Sequence, residues 1–507
     1  MKKCKCGESM GNVILTEFKE YIDGLEEADK ALIDAFFKNI EQRCLISKSE
    51  RKKMILDFEN AVIYYVKKGF KLKKILELLD PINLGGFYAR PTLLWFPLDD
   101  SAKIYPMSLE HDNMPLFRLS AYLVEDLVPE LLQMALIFTI KRFPCFATTL
   151  KKGIFWHYLD TTKRRFTINE ENDVPCQPLR VSRSGSQTFR VIYYKNRVSI
   201  EFFHVLTDGI GGMVFLKALV AEYLRLTGVD IKENDDVWNI NDIPNVKETR
   251  NEFARVPHSS NTSGLINKRV LQMNGKLTNM KPNQVIHFKF AASKLKEKAQ
   301  EYNATVTIFM LAILFIAIKA ATDSLNGEVS IQVPVNMRKF YPSDTLRNFA
   351  MYCGIKFDIE EIEDIPSLIN AIKVQLDEKA NKDKMSEMVT SANKLVSSLR
   401  FIPLFIKLPI AKKLYGFLGD QAFSSTLSNL GVVKMPDEYN KHILSMDFVL
   451  GTAPNNRAIT GLVTFNNVTT FSVSKMTKDP TFEEKLYELF IKEGLDVEVE
   501  GSGIYEY

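Results

Sequence analysis

His204 carries the clearest chemical signal in this sequence. It opens the run His204-Val205-Leu206-Thr207-Asp208-Gly209-Ile210-Gly211-Gly212. An imidazole with its ordinary pKa near 6.5 can accept a proton at neutral pH. At a strand end facing a turn, it is placed for general-base catalysis, which typically contributes about 10²–10⁴-fold. The bare spacing His-x-x-x-Asp is common by chance, and a lone histidine beside an apolar strand is more often structural. The surroundings sharpen the reading. The strand-like stretch Arg197 to Phe203 precedes the run, after its neighbour Phe189 to Tyr194 and a turn at Lys195-Asn196. A helix follows, with apolar residues at Phe215, Leu216, Leu219, Val220, Tyr223 and Leu224, and it ends at Gly228. The intervening glycines permit a tight turn.

Other chemistries find less support. Cys4-x-Cys6 suggests zinc, but a structural zinc takes four N or S ligands. The first hundred residues supply only Cys4, Cys6 and Cys44, with no histidine before His111. Neither Gly85-Gly86 nor Gly211-Gly212 leads into the Gly-Lys-Ser/Thr of a phosphate loop. His157 lies in Phe155-Trp156-His157-Tyr158, which reads as aromatic packing. His111, His258, His287 and His442 have no companion motif and read as structural.

The elements around the motif suggest three segments. Residues 1–100 read as a helical N-terminal extension, with faces Leu15, Phe18, Ile22, Leu25 and Ile55, Phe58, Val62, Tyr65. Residues 101–265 form a first α/β lobe carrying His204, closed by the polar stretch Ser259 to Gly264. Residues 266–507 form a second lobe. Its expected elements are a strand at 285–290, helices at 292–302 and 306–320, strands at 328–335 and 351–357, a helix at 365–379 and several strands between 445 and 473. The apolar runs Leu131 to Ile140 and Ile308 to Ile318 fall short of the about 20 residues of a membrane span and read as core helices. Lys67, Lys68, Lys71, Lys73 and Lys74 form either a solvated face or a contact for anionic lipid or a carrier protein. The apolar, proline-broken segment Phe401 to Ile410 is either ordinary core, the lining of a hydrophobic channel, or a membrane contact.

Composition sets the outer bounds. The 507 residues are 46% hydrophobic and 25% charged, which disfavours long disorder. A net charge of +4 gives no nucleic-acid footprint. Six cysteines in this length argue against a disulfide scaffold and fit a reducing compartment. The basic start MKKCKC has no apolar stretch after it, so no secretory signal is read and a cytoplasmic location is expected. No repeat with a period of about 20–50 residues is present.

The run at 204–209 resembles the HxxxDG signature of the coenzyme-A-dependent acyltransferase superfamily, and most closely its bacterial alcohol acetyltransferases. The similarity covers about residues 104–490. It is carried in order by Tyr105-Pro106-Met107-Ser108, Arg142-Phe143-Pro144-Cys145-Phe146, Phe155 to Tyr158, Phe202 to Gly212, Pro334-Val335-Asn336-Met337-Arg338, Thr345-Leu346-Arg347-Asn348-Phe349 and Ser428-Asn429-Leu430-Gly431. The resemblance implies an α/β, two-lobed chloramphenicol acetyltransferase-like fold with mixed sheets and a channel between the lobes. It implies His204 as catalytic base, with acyl-CoA as co-substrate, a small or lipophilic alcohol as acceptor, and neither bound cofactor nor metal. Asp208 and Gly209 would then support the motif, with Arg142 as the partner of Asp208 and Arg338 as its rival. Ser428 and Asn429 would be oxyanion donors; a plain turn is the alternative. Many relatives have HHxxxDG where this chain has Phe203-His204, which makes a condensation domain a poorer match. Two rivals share the fold: a non-catalytic binder of lipid or partner, and an acyltransferase using an amine acceptor or a carrier-bound donor. Residues 1–100 precede the first recognised motif and are expected to be an addition to the catalytic unit.

Overall fold

The computed structural model describes residues 16–44, 46–80, 95–103, 105–106, 114–162, 165–180, 185–230, 232, 234–262, 269–409, 422–451 and 455–505. Cys4, Cys6, Gly85-Gly86, Met107, Ser108, His111 and Ile410 lie outside them. The N-terminal region is helical, with residues 16–23 followed by α1 (Glu27–Arg43), α2 (Lys48–Lys67) and α3 (Leu72–Leu78). Ser47 starts α2 by accepting from the Glu50 amide. Of the face read from the sequence, Phe58, Val62 and Tyr65 are buried and Ile55 is half-buried.

That face packs onto α4 (Pro129–Arg142). The rings of Phe58 and Phe138 lie 6.1 Å apart, edge to face. The Tyr65 hydroxyl donates to the Leu226 carbonyl at 2.5 Å, and buried Asp57 pairs with Arg165. The N-terminal helices therefore share one apolar core with the motif-bearing segment. Of the lysine cluster, Lys67 pairs with Glu17 at 2.8 Å and Lys74 with Glu77 at 3.2 Å, on a solvated surface.

The first lobe is built on a five-stranded sheet in the order β13-β2-β8-β7-β5. The strands are β13 (Ile443–Leu450), β2 (Leu116–Leu123), β8 (Arg197–Phe203), β7 (Phe189–Tyr194) and β5 (Ile168–Glu170). The β7–β8 hairpin turns through Lys195 in the left-handed region, φ 49°. α5 (Gly209–Leu226) lies against this sheet. β13 reaches the first lobe from late in the chain, antiparallel to β2 with Phe448 opposite Leu119. A four-stranded sheet of β1 (Trp95–Pro97), β4 (His157–Thr161), β3 (Thr148–Lys152) and β6 (Ser186–Gln187) flanks it.

The second lobe holds a mixed seven-stranded sheet, β11-β10-β12-β14-β15-β9-β16. Its members are β11 (Ala350–Asp358), β10 (Glu328–Asn336), β12 (Ser425–Val433), β14 (Ala458–Phe465), β15 (Val468–Lys475), β9 (Gln284–Ala291) and β16 (Glu498–Gly501). Helices α6 (Ala292–Glu301), α7 (Val306–Ala320), α8 (Ile365–Lys379), α9 (Lys382–Ser398) and α10 (Thr481–Lys492) complete the lobe. α7 is apolar on nearly every side and is accordingly the core helix, as expected for Ile308 to Ile318. Among the described residues no single helix is long and apolar enough to cross a membrane.

One irregularity positions the site. β12 pairs with β10 only through Ile331–Ser425 and Gln332–Thr426, and then follows β14. The ends of β10 and β12 part, and both reach the 204–212 turn.

A chain begun at residue 98 would bare the outer face of α4. It should aggregate, or melt well below the full chain, because apolar surface returned to water destabilises by about 25 cal/mol per Å². A truncated chain with the full-length melting temperature would show the N-terminal helices to be detachable.

Candidate active site

β8 delivers His204 to the turn before α5. The His204 amide donates to the Pro115 carbonyl at 3.0 Å, and the Leu206 amide closes the turn onto Phe203 at 2.9 Å. The imidazole stacks on the Tyr105 ring, centroids 5.5 Å apart, and tilts against Phe117 at 4.8 Å. Its Nδ1 is buried without a hydrogen-bond partner. Burial among these rings pushes the His204 pKa down to about 4, overriding the opposing pull of Asp208. The ring is therefore neutral at pH 7. Phe203 is wholly buried in the first-lobe core, so the position that is histidine in many relatives is an apolar packing position here.

Asp208 does not act on His204 directly. Oδ1 caps α5, accepting from the amides of Ile210 at 3.1 Å and Gly211 at 3.0 Å. Oδ2 accepts from Arg338 Nη1 at 2.7 Å and from the Phe349 amide at 2.8 Å. Arg338 stands just beyond β10, and its Nη2 donates to the carbonyls of Thr345 (2.8 Å) and Arg347 (2.9 Å). One carboxylate thus ties the first-lobe helix to a second-lobe arginine and strand.

This corrects the pairing expected for Arg142. Arg142 ends α4 and forms a bidentate pair with Glu248, at 2.7 and 2.9 Å, with its guanidinium 4.9 Å from the Trp238 ring. A nearer carboxylate engages both of its terminal nitrogens, whereas Arg338, just beyond the end of the β10–β11 pairing, stands at the motif. Arg142 and Glu248 instead line a surface groove of about 580 Å³ with Trp238, Asn245 and Asp344, and His204 is not among its lining residues.

The segment Thr345 to Phe349 does more than its sequence suggested. Leu346 O accepts from Thr207 Oγ1 at 2.5 Å. Asn348 donates to the His204 carbonyl at 3.4 Å and hydrogen-bonds Tyr105. Arg347, almost wholly buried, lies 3.2 Å from Asp99, whose pKa is pushed up to about 7 by burial against that attraction. Gly211 fits only as glycine: a Cβ there would lie 2.1 Å from Leu346 O. The legible signal was the place of this stretch among the ordered motifs; its contacts are long-range.

Ser428 and Asn429 lie in strand β12, not in a plain turn. A bulge between Asn429 and Val432 includes Gly431 at φ 77°. The Asn429 side chain is engaged in holding it, accepting from the Gly431 amide at 2.7 Å and donating to Thr307 at 2.9 Å. Ser428 is half-buried beside it. Leu430 reaches the motif, its Cδ2 2.4 Å from where a Cβ at Gly209 would stand. His287 gained companions that the sequence did not show: Ser472 at 2.9 Å and Asp447 at 3.8 Å.

Asp208→Asn keeps a competent helix cap but leaves Arg338, itself mostly buried, without its counter-charge. Urea unfolding should show a loss of about 3 kcal/mol. An unchanged midpoint and slope would mean that the pair does not hold the lobes together.

Comparison with known proteins now bears on this geometry. The family model described as alcohol acetyltransferase matches residues 166–470. F. graminearum TRI101, solved with coenzyme A and deoxynivalenol, superposes with a TM-score of 0.56 at 12% identity, over 80% of this chain and 100% of that one. Polyketide synthase associated protein 5 from Mycobacterium tuberculosis superposes with a TM-score of 0.53 at 12% identity, over 78% and 96%. At these identities the likeness is one of fold. No curated protein matches the sequence. The two lobes match those folds, and the family model spans more than half of the sequence: the chain belongs to the alcohol acetyltransferase family.

Proposed function

We propose that the protein moves an acyl group from acyl-CoA to the hydroxyl of a small or lipophilic alcohol by direct transfer, with His204 as general base. The observation that carries this is the His204 imidazole packed on Tyr105 and Phe117 at the meeting of the two lobes. Membership in a family named for alcohol acetyl transfer supports it. So do fold relatives solved with coenzyme A, and one named a trichothecene 15-O-acetyltransferase.

In the reaction, His204 takes the hydroxyl proton as the alcohol oxygen attacks the thioester carbonyl. The tetrahedral oxyanion collapses, the C–S bond breaks, and the imidazolium returns the proton to the departing thiolate. Asp208 is no relay, because both of its oxygens are already occupied by other donors. Its part is to hold the turn. The Ser428 hydroxyl, on the strand whose Leu430 touches the motif, is the proposed oxyanion donor. Asn429 supports the bulge that presents it. The four described cysteines are free and buried, which fits a cytoplasmic location.

His204→Ala should reduce thiol release from acetyl-CoA, assayed over a panel of alcohols, by at least about 10²-fold at an unchanged melting temperature. Equal turnover would remove His204 from the mechanism.

The pH profile gives a second test. The base works when unprotonated, and burial has lowered its pKa to about 4. The free-enzyme profile of kcat/KM should therefore stay flat from neutral pH down to about 5 and fall only below it. A fall through about 6.5 would mean that the base is a solvated histidine.

A further inference from the structure

We propose that the face formed by the 153–156 turn and residues 400–408 docks the protein on an anionic lipid bilayer. Two segments distant in sequence build it. The first is the turn between β3 and β4; the second is the run after α9, helical over residues 404–409. They are fastened beneath the surface. The Leu404 amide donates to the Ile154 carbonyl at 2.8 Å, and Lys407 Nζ donates to the Phe155 carbonyl at 2.8 Å while lying 3.3 Å from the Trp156 ring centre. Leu404 and Leu408, with Trp156 against them, form a small apolar cluster separate from the two lobe cores.

Above this support, large apolar side chains face outward. Phe401 is 77% exposed, Phe405 75%, Ile154 76%, Ile406 43% and Phe155 40%. Isolated exposed apolar residues are ordinary, but a group of this size on two joined segments marks an interaction surface. Nearby Trp95, also exposed, meets Tyr158 edge-on at 6.1 Å, and such amphipathic rings suit a lipid–water boundary.

Charge selects the partner. From Met388 to Pro409 the sequence contains no Asp or Glu, and Lys394 and Arg400 within it are exposed. The turn follows Lys151-Lys152. The acids beside it, Asp160 and Asp100, are paired with Lys151 and Lys103. Protruding aromatic side chains within an acid-free basic segment are the pattern of interfacial binding to anionic lipid. Side chains three-quarters exposed stand out from the surface, which suits a deformable bilayer better than the preformed sockets of a protein partner.

The test is co-sedimentation of the full-length protein with vesicles of equal parts phosphatidylcholine and phosphatidylglycerol, against phosphatidylcholine alone. The protein should sediment with the anionic vesicles and be released by salt. The double variant Phe401→Ser, Phe405→Ser should bind at least about tenfold more weakly, as should Lys394→Glu with Arg400→Glu. All four side chains are exposed, so melting temperature and thiol release should stay at wild-type values. Binding is read without substrates, so its failure leaves the acyl-transfer reading untouched. The proposal is overturned if neither vesicle retains the protein or if the variants bind like wild type. Capture by an acidic carrier protein without vesicle binding overturns it as well, as does a self-association lost in the variants without vesicle binding.

Discussion

The carboxylate of Asp208 accepts four donors from two lobes: the first-turn amides of α5, and Arg338 with the Phe349 amide across the boundary. Arg338 in turn donates through Nη2 to the carbonyls of Thr345 and Arg347. The turn carrying His204 is thereby pinned at both ends, by β8 before it and by this ion pair after it. A charge pair so far out of water is stable only while every partner is present, and removal of one partner typically costs several kcal/mol. The arrangement explains how an aspartate four residues from His204 can matter to the site without touching the imidazole.

Burial determines the state of His204. Tyr105 and Phe117 press on its ring, and the desolvation they impose outweighs the negative charge of Asp208. In the proposed reaction, such an imidazole stays unprotonated, and so available as a base, throughout the neutral range. Close packing maintains this environment. Gly211 lets Leu346 O approach the turn, and Thr207 donates to that same carbonyl. The Thr345–Phe349 segment thus reaches Thr207, Asp208 and His204 through successive residues.

Elements with strong periodicity were legible. The 306–320 and 365–379 helices and the 189–194 and 197–203 strands lie where their patterns place them. The motif histidine, its turn and its helix were equally plain. Pairings across long sequence separations were not. Nothing local distinguishes Arg338 from Arg142 as the partner of Asp208; the tertiary placement of Arg142 beside Glu248 and of Arg338 at the end of the β10–β11 pair decides it. The burying face of α2 could be read from Phe58, Val62 and Tyr65, but the surface it meets, on α4, could not. The resemblance implied Asn429 as an oxyanion donor, and nothing in the local sequence shows the bulge at Gly431 or the distant Thr307 that engage its side chain.

The claim that the ion pair between the lobes holds the histidine turn is tested most directly by a double-mutant cycle on Asp208→Asn and Arg338→Met, with unfolding free energy and kcat both measured. If the two side chains act as one unit, the double variant is no worse than either single variant. The coupling energy should then be about 3 kcal/mol, with kcat falling together in all three. Additive effects within about 0.5 kcal/mol, with kcat unchanged in Arg338→Met, would show that the turn is held by something else.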